Sequence, residues 1–287
     1  MSESLTSQDF DRRKTAYFSD FAKSHLSAFR PHYKQGEILG KGSEAWRNVS
    51  QHCLVAGVFA DILADELHLS ADDKDKVVKA AIMHDWFKKH ESMTLRAASK
   101  EGTLSLETLF EIKAKDNQAL QEMGVAQDII KLTGANIPET LGGPQSLSEK
   151  IIWYVDAMLS NTEPVPIKQR FDDLERGWDG AKEDPSRAER NNTFNNLYKK
   201  QYHGKSLYDI QRERGDRIGA ELAQMIGYQG EVNELPRKNL RGIPNGKVLL
   251  SASSSQQADE VFARKNKLPL ILKDKLRERI MNYRLYL

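Results

Sequence analysis

Four ionisable residues occur in segments that are otherwise apolar. The stretch "AAIMHDWFKKHE" (residues 80–91) places His84 beside Asp85, and "IIWYVDAMLS" (151–160) places Asp156 among apolar neighbours. His52 stands just ahead of a third apolar stripe. An ionised carboxylate is very costly to bury unless it is paired or holds a metal ion. Two such carboxylates in helical segments therefore indicate a shared cation.

The residue types specify which cations would fit. Two imidazoles and two carboxylates form a mixed nitrogen and oxygen set that suits Mn, Fe, Co, Ni or Zn, and Mg is also a candidate. If the ion takes six ligands, four protein ligands leave two positions for water and a substrate oxygen, as metal-assisted hydrolysis requires. Taken alone, the His84-Asp85 pair has an ordinary alternative, in which Asp85 bonds to the backbone or to Lys88 or Lys89 and His84 is a core histidine.

Helical periodicity positions these residues on three separate elements. Helix-start patterns occur at Ser70 with Asp73 and at Ser146 with Glu149. The apolar spacing predicts helices over 9–30, ending at Pro31, over 48–67, from Ser70 through Lys89, and over 94–123, 125–134 and 166–178. A further helix is predicted to open at Ser146 with Glu149, to include 149–161 and to end before Pro164.

After two further helices, the last sixty residues are predicted to change character. Helices fit 187–202 and 206–227, "VLLSA" (248–252) and "LPLIL" (268–272) read as short strands, and a basic helix starts at Asp274. The fold class is mainly α, with a short β element in the C-terminal extension. The predicted organisation is an N-terminal helix and loop (1–39), a metal-binding helical core (40–185) and an extension with a basic tail (186–287).

The ordered set His52, His84-Asp85, Asp156 resembles the H…HD…D signature of the HD-domain superfamily of metal-dependent phosphohydrolases. "WRNVSQHCLVAG", "AAIMHDWFKKHE" and "KIIWYVDAMLS" are similar to the helices that carry the family's ligands, and the resemblance covers about residues 40–180. It implies an all-helical core around one divalent ion, with His52, His84, Asp85 and Asp156 as ligands.

The same resemblance suggests further site residues. Lys88 matches the lysine of the family's HDxGK variant and is expected to contact a substrate phosphate, where an ammonium stabilises developing charge; the alternative is a surface lysine. Arg47 and Trp46, one turn before His52, are candidates to hold phosphate and border the pocket, although an ordinary structural role fits them as well. Asn136 and Glu44 are loop candidates for substrate contact and for a general base. Asp85 or Asp156 is a candidate to accept the proton of the attacking water.

Two departures from the family pattern bear on the expected number of metal ions and on the expected substrate. His90 is the one histidine between the HD pair and Asp156, which favours a mononuclear site over multi-metal phosphodiesterases and di-iron oxygenases. The lysines after HD, where stringent-response hydrolases have acidic residues, disfavour a (p)ppGpp hydrolase.

Composition and charge limit the kinds of partner that are expected for this protein. The net charge is +2, yet residues 264–287 carry eight Lys or Arg against two acidic residues, so this tail and the basic segment 236–247 are candidate nucleic-acid contacts. A solvated helix face is the favoured interpretation of the tail. Cys53 is the single cysteine, no apolar run reaches membrane-spanning length, and the polar start is unlike a secretory signal. These features predict a cytoplasmic protein with no membrane partner.

The sequence as a whole therefore predicts a divalent-metal-dependent phosphohydrolase acting on a nucleotide or another small phosphorylated substrate. Two alternatives stay open: an HD-type nuclease or phosphodiesterase acting on DNA or RNA, and a non-catalytic metal- or nucleotide-binding regulatory module.

Overall fold

The fold is mainly α-helical, as predicted. A computed structural model describes residues 7–34, 49–136, 143–176, 178–179, 182–183, 191–192, 194–196, 198–200, 202–232 and 255–283. The α-helices are α1 (Ser7–Ser24), α2 (Leu26–Lys34), α3 (Val49–Glu66), α4 (Ala71–Met83), α5 (Lys88–Glu101), α6 (Leu106–Glu122), α7 (Gln127–Thr133), α8 (Leu147–Ala157), α9 (Ile167–Glu175), α10 (Leu207–Val232) and α11 (Ser255–Asn282). A 3-10 turn (Gly134–Asn136) follows α7, and the described residues between 191 and 200 are also helical.

Strand structure is limited to two short hairpins in the described residues. β1 (Leu159–Ser160) pairs antiparallel with β2 (Glu163–Pro164), and β3 (Trp178–Asp179) pairs with β4 (Lys182–Glu183). Both hairpins lie before residue 186, whereas the described residues of the extension are helical or in turns. The strand predicted at 248–252 falls outside the described residues.

The central helix of the core is α3, because its sequence is apolar on nearly every side. Phe59, Ile62 and Leu63 are fully or almost fully buried, and α3 packs against both α4 and α8. A helix that is apolar all round belongs inside a protein. Gly57 allows the closest approach, since a methyl group there would lie 2.6 Å from Ile82 of α4.

Two predicted helix starts are confirmed at atomic level. The Ser70 side chain accepts a hydrogen bond from the Asp73 amide at the start of α4. Ser146 and Glu149 form a full capping box at the start of α8. Each start satisfies backbone donors that have no partner inside the helix.

Three other local predictions are wrong. Pro31 lies inside α2 instead of ending a helix, because Phe29 and His32 around it are buried and outweigh one lost backbone bond. The predicted run 94–123 is two helices, separated where Gly102 adopts a left-handed conformation. The predicted strand 268–272 lies within α11. Leu268 and Leu272 are both fully buried while Leu270 is 59% exposed, which is the four-residue spacing of a helix and excludes strand alternation.

The helix predicted to run through the HD pair is also interrupted. α4 ends at Met83, residues 84–87 form a turn, and α5 begins at Lys88. The turn is closed by backbone bonds from Trp86 to Met83 and from Lys88 to Asp85, each three residues apart. His84 and Asp85 therefore project from a helix end, and Lys88 belongs to a new helix.

None of the helices in the described residues is long and apolar enough to cross a membrane.

Candidate metal centre

Three elements bring the predicted ligands together. His52 lies in the first turn of α3, His84 and Asp85 follow the end of α4, and Asp156 lies in the last turn of α8. Because α3 packs against both α4 and α8, the three helix ends meet. All four residues predicted as ligands lie in this one cluster.

The ligating atoms of the cluster are close together. Nε2 of His52 is 3.3 Å from Nε2 of His84, and Oδ1 of Asp156 lies 3.1 Å from the first and 3.3 Å from the second. Oδ2 of Asp85 lies 3.8 Å from Nε2 of His84. Ligand atoms about 2.1 Å from a common ion are about 3 Å apart, so these separations match the spacing of a coordination shell.

Hydrogen bonds on the far side of each imidazole orient it toward this point. Nδ1 of His52 donates to the Asn161 carbonyl at 2.6 Å, and Nδ1 of His84 donates to the Ala81 carbonyl at 2.7 Å. A carbonyl oxygen only accepts, so each Nδ1 carries hydrogen and each neutral Nε2 presents a lone pair. Two lone pairs and a carboxylate oxygen facing one another need a proton or a cation between them, and these residues therefore fit a divalent ion.

The pKa shifts of His52, His84 and Asp156 also indicate that the cluster needs a positive charge at its centre. Burial opposes protonation of His52 and His84, yet neighbouring negative groups, including Asp156, raise the pKa of both imidazoles. Burial would raise the pKa of Asp156, but His84 and His52 hold it well below its ordinary value. Without an ion, the cluster shares protons at the position that a metal ion would occupy.

The cluster is open on one side. The side chains of His84 and His52 are 1% and 9% exposed, whereas those of Asp85 and Asp156 are 25% and 31% exposed. The two imidazoles are therefore buried, whereas the two carboxylates are partly exposed to solvent.

Lys88 lies beside this open side. Its Nζ is 3.5 Å from Oδ1 of Asp85 and 3.1 Å from Oε1 of Glu91. Burial would lower the pKa of Lys88, but Asp85 and Glu91 raise it, so the ammonium stays charged. Lys88 reaches this position because α5 begins directly after the turn, and not through the continuous helix face that the sequence suggested.

The remaining predicted site residues are not part of the described cluster. Glu44, Trp46 and Arg47 lie outside the described residues. Asn136 ends the 3-10 turn after α7, and its side chain also lies outside the described part. His90 packs against Phe87, with ring centroids 4.5 Å apart, and is not one of the clustered ligands.

Several contacts around the site were not predicted. Trp86 is 2% exposed and its indole donates to Asp116 of α6, a carboxylate that is 4% exposed and also binds Lys113. This bond fastens the turn that carries His84 and Asp85 to a helix remote in sequence. A tryptophan directly after the HD pair was the available signal, since a buried indole N–H needs a partner.

Cys53 lies behind the ligands and is fully buried, 3.9 Å from Nδ1 of His84. Burial alone would raise the pKa of its thiol, but the adjacent His84 and His32 lower it to about 6.

A comparison of the chain with protein-family models, curated proteins and solved structures finds no match.

Proposed function

We propose that this protein is a divalent-metal-dependent phosphohydrolase of the HD type, acting on a nucleotide or another small phosphorylated molecule. One observation carries the proposal: two imidazole Nε2 atoms and a carboxylate oxygen converge within 3.1 to 3.3 Å of one another at the ends of three separate helices. His52, His84, Asp85 and Asp156 would hold the ion. A mixed nitrogen and oxygen set favours Mn, Fe, Co, Ni or Zn, whereas Mg prefers oxygen ligands.

A bound divalent ion would supply Lewis-acid polarisation of a phosphoryl group and would make water a stronger nucleophile. The chain's own residues supply the rest. Lys88 offers a fixed positive charge to phosphoryl oxygens at the open side of the cluster. Asp85 or Asp156, the two partly exposed carboxylates, would accept a proton from the attacking water.

Two of the eight basic residues of the C-terminal tail are engaged in ion pairs with the core, which supports a small substrate over a nucleic acid. Lys275 and Arg279, two of the basic residues in the tail, pair with Glu66 and with Asp61 and Asp65 of α3. Paired cations contribute less to phosphate-backbone binding than free ones. The other basic segment, 236–247, lies outside the described residues. We place the activity in the cytoplasm, since a reducing compartment keeps Cys53 as a thiol.

The test is metal analysis of the purified protein followed by phosphate-release assays with Mn, Co, Ni, Zn and Mg. The panel contains deoxynucleoside mono- and triphosphates, a generic phosphomonoester, and single- and double-stranded oligonucleotides. We expect one ion per chain and release from the nucleotides. Degradation of the oligonucleotides alone would replace the proposal by a nuclease, and an absence of metal from both purified and reconstituted protein would refute it.

Matched substitutions distinguish the loss of a site residue from a general effect of substitution on the protein. His84→Asn should lower metal content and reduce turnover at least about a hundredfold. The control is the same substitution at exposed His68, whose left-handed backbone Asn tolerates. Lys88→Gln should retain the metal while turnover falls. If Lys88→Gln and His68→Asn proteins turn over at the same rate, the role given to Lys88 is wrong.

A further inference from the structure

A second group of buried polar side chains lies away from the candidate metal centre. It is formed by the helical residues between 191 and 200, by Tyr202 and by α10. Asn195 is 7% exposed, Gln211 is 2% exposed and Arg214 is 5% exposed. Polar groups this deeply buried are normally satisfied by protein or by a bound molecule.

Three of these groups have no hydrogen-bond partner within the described part of the chain. They are Oδ1 of Asn195, the hydroxyl of Tyr202 and Nε2 of Gln211. Two of the three, the Tyr202 hydroxyl and Nε2 of Gln211, can donate, and buried donors without a partner indicate a bound acceptor, whereas Oδ1 of Asn195 needs a donor.

The spacing of the residues turns them toward one another. Asn195, Tyr198 and Tyr202 follow at intervals of three and four, so they share a helix face, and the rings of Tyr198 and Tyr202 are 5.1 Å apart. Gln211 and Arg214 are three apart on the buried face of α10. Only residues 203–206 separate Tyr202 from the start of α10, so the two elements are neighbours, and Arg214 interacts electrostatically with both tyrosines.

The backbone leaves room for the guanidinium. A methyl group at Gly143, just before α8, would lie 2.5 Å from Nε of Arg214. Glycine at this position therefore allows the Arg214 side chain to lie against the backbone. Gly143 precedes the start of α8 whereas Asp156 is in its last turn, and ten residues of helix between Ser146 and Asp156 span about 15 Å. The group is therefore a place of its own and does not extend the metal centre.

The chemistry of the group is that of an anion receptor. Gln211 offers amide N–H donors, Tyr202 offers a hydroxyl, and Arg214 offers a forked cation. Arg217, exposed at the rim, adds a second positive charge; burial and then this neighbour lower the pKa of Arg214. A tetrahedral oxyanion has enough oxygens to accept hydrogen bonds from donors in several directions.

We propose that a phosphate group binds between Tyr202 and α10, held by Gln211, Tyr202 and Arg214. The group is supplied by inorganic phosphate or by a phosphate monoester, and Tyr202, which is only partly buried, lies on the side from which it enters. This inference is independent of the proposed function.

The test measures phosphate binding to the full-length, EDTA-treated protein by thermal unfolding. Sodium phosphate is compared with sodium chloride at equal ionic strength, so that general salt effects cancel. We expect phosphate to raise the unfolding temperature with a saturating dependence, as a ligand of the native state does. Ribose 5-phosphate in a parallel arm distinguishes the sources, since a stronger response to it identifies a monoester as the ligand.

Two conservative substitutions locate the binding. Gln211→Met and Tyr202→Phe keep side-chain volume and remove the donors, so the protein should fold, and each should weaken phosphate binding about tenfold. His68→Asn, at an exposed position outside both sites, is the control and should leave the response unchanged, while Lys88→Gln reports phosphate bound at the metal centre.

Three outcomes would overturn the inference. The first is no response beyond that of chloride, which means that the group holds water only. The second is an equal response in Gln211→Met, Tyr202→Phe and unaltered protein. The third is loss of the response in Lys88→Gln alone, which assigns phosphate to the metal centre and would support the proposed function while removing this site.

Discussion

Asn161 is the residue whose role is least visible in the sequence. It begins the two-residue connection between β1 and β2, and its φ of 56° lies in the left-handed region that few residues other than glycine adopt. Its carbonyl receives the hydrogen of Nδ1 of His52. The segment from Asp156 to Asn161 thus contributes one ligand and orients another, because the chain turns back directly after α8.

Substitution of Asn161 should alter metal binding through its backbone and not through its side chain. Asn161→Gly accepts the same φ and should bind metal as the unaltered protein does. Asn161→Val is strained at this φ, so the carbonyl should move and metal affinity should fall about 10- to 100-fold. Competition with a chelator of known affinity measures the difference, and thermal unfolding checks that both variants are folded. Equal affinities in the two variants would show that the carbonyl does not orient His52.

At the scale of elements, helix ends determine much of the local structure. α10 begins with a reciprocal pair in which the Asp209 amide donates to Oγ of Ser206 at 3.1 Å while the Ser206 amide donates to Oδ2 of Asp209 at 3.0 Å. Arg212 adds an ion pair at 3.0 Å. Hydrogen bonds from Ser206 and from Arg212 lower the pKa of Asp209 to about 2, and the charge of Arg212 adds a smaller effect.

This helix start should make a pH-dependent contribution to stability. A depressed native pKa means that the contribution is present above the ordinary value of 3.8 and is lost as the pH falls toward 2. Asp209→Asn should lower the free energy of unfolding by up to about 1 kcal/mol near neutrality, since the side chain is 48% exposed and solvent screens its charge. Urea unfolding of both proteins should show this difference shrinking below about pH 4. A difference that stays constant with pH would mean that the charge of Asp209 plays no part.

At the scale of the whole molecule, the C-terminal helix α11 is joined to the core by charge as well as by apolar packing. Arg279 pairs with Asp61 and Asp65 of α3, which also pair with Lys74 of α4. Arg13 of α1 donates to the carbonyls of Met281 and Tyr283. These bonds connect the first and last described helices, whereas the domain boundaries at residues 39 and 185 stay a prediction.

Loss of the central cation should loosen this junction. Arg279→Met keeps the aliphatic stem but leaves Asp61, whose side chain is 16% exposed, with Lys74 as its remaining cation. We expect the free energy of unfolding to fall by about 1 to 2 kcal/mol. Lys275→Met is the matched control, because its ion pair with Glu66 is 40% exposed on the lysine side and should contribute less than about 0.5 kcal/mol. Equal losses in urea unfolding would show that the network has no strength beyond an ordinary surface pair.

The parts of the fold that could be predicted from sequence depend on neighbours within about one helical turn. Ser70 and Ser146 predict helix starts because their capping partners, Asp73 and Glu149, are three residues away. The apolar periodicity establishes a mainly helical chain, and polar residues within apolar segments identify His52, His84, Asp85 and Asp156 as exceptions that need a partner.

What the tertiary structure alone decided depends on contacts between distant residues. His52 and His84 are 32 residues apart in the chain, and His52 and Asp156 are 104 apart, so their convergence follows from the packing of α3 against α4 and α8. The local sequence pattern predicted a continuous helix through 84–87, but these residues form a turn that is bonded through Trp86 to Asp116. It also predicted a strand at 268–272, but these residues are helical. The reason is common to all three: burial and hydrogen bonding across elements outweigh the weak preferences of a short segment.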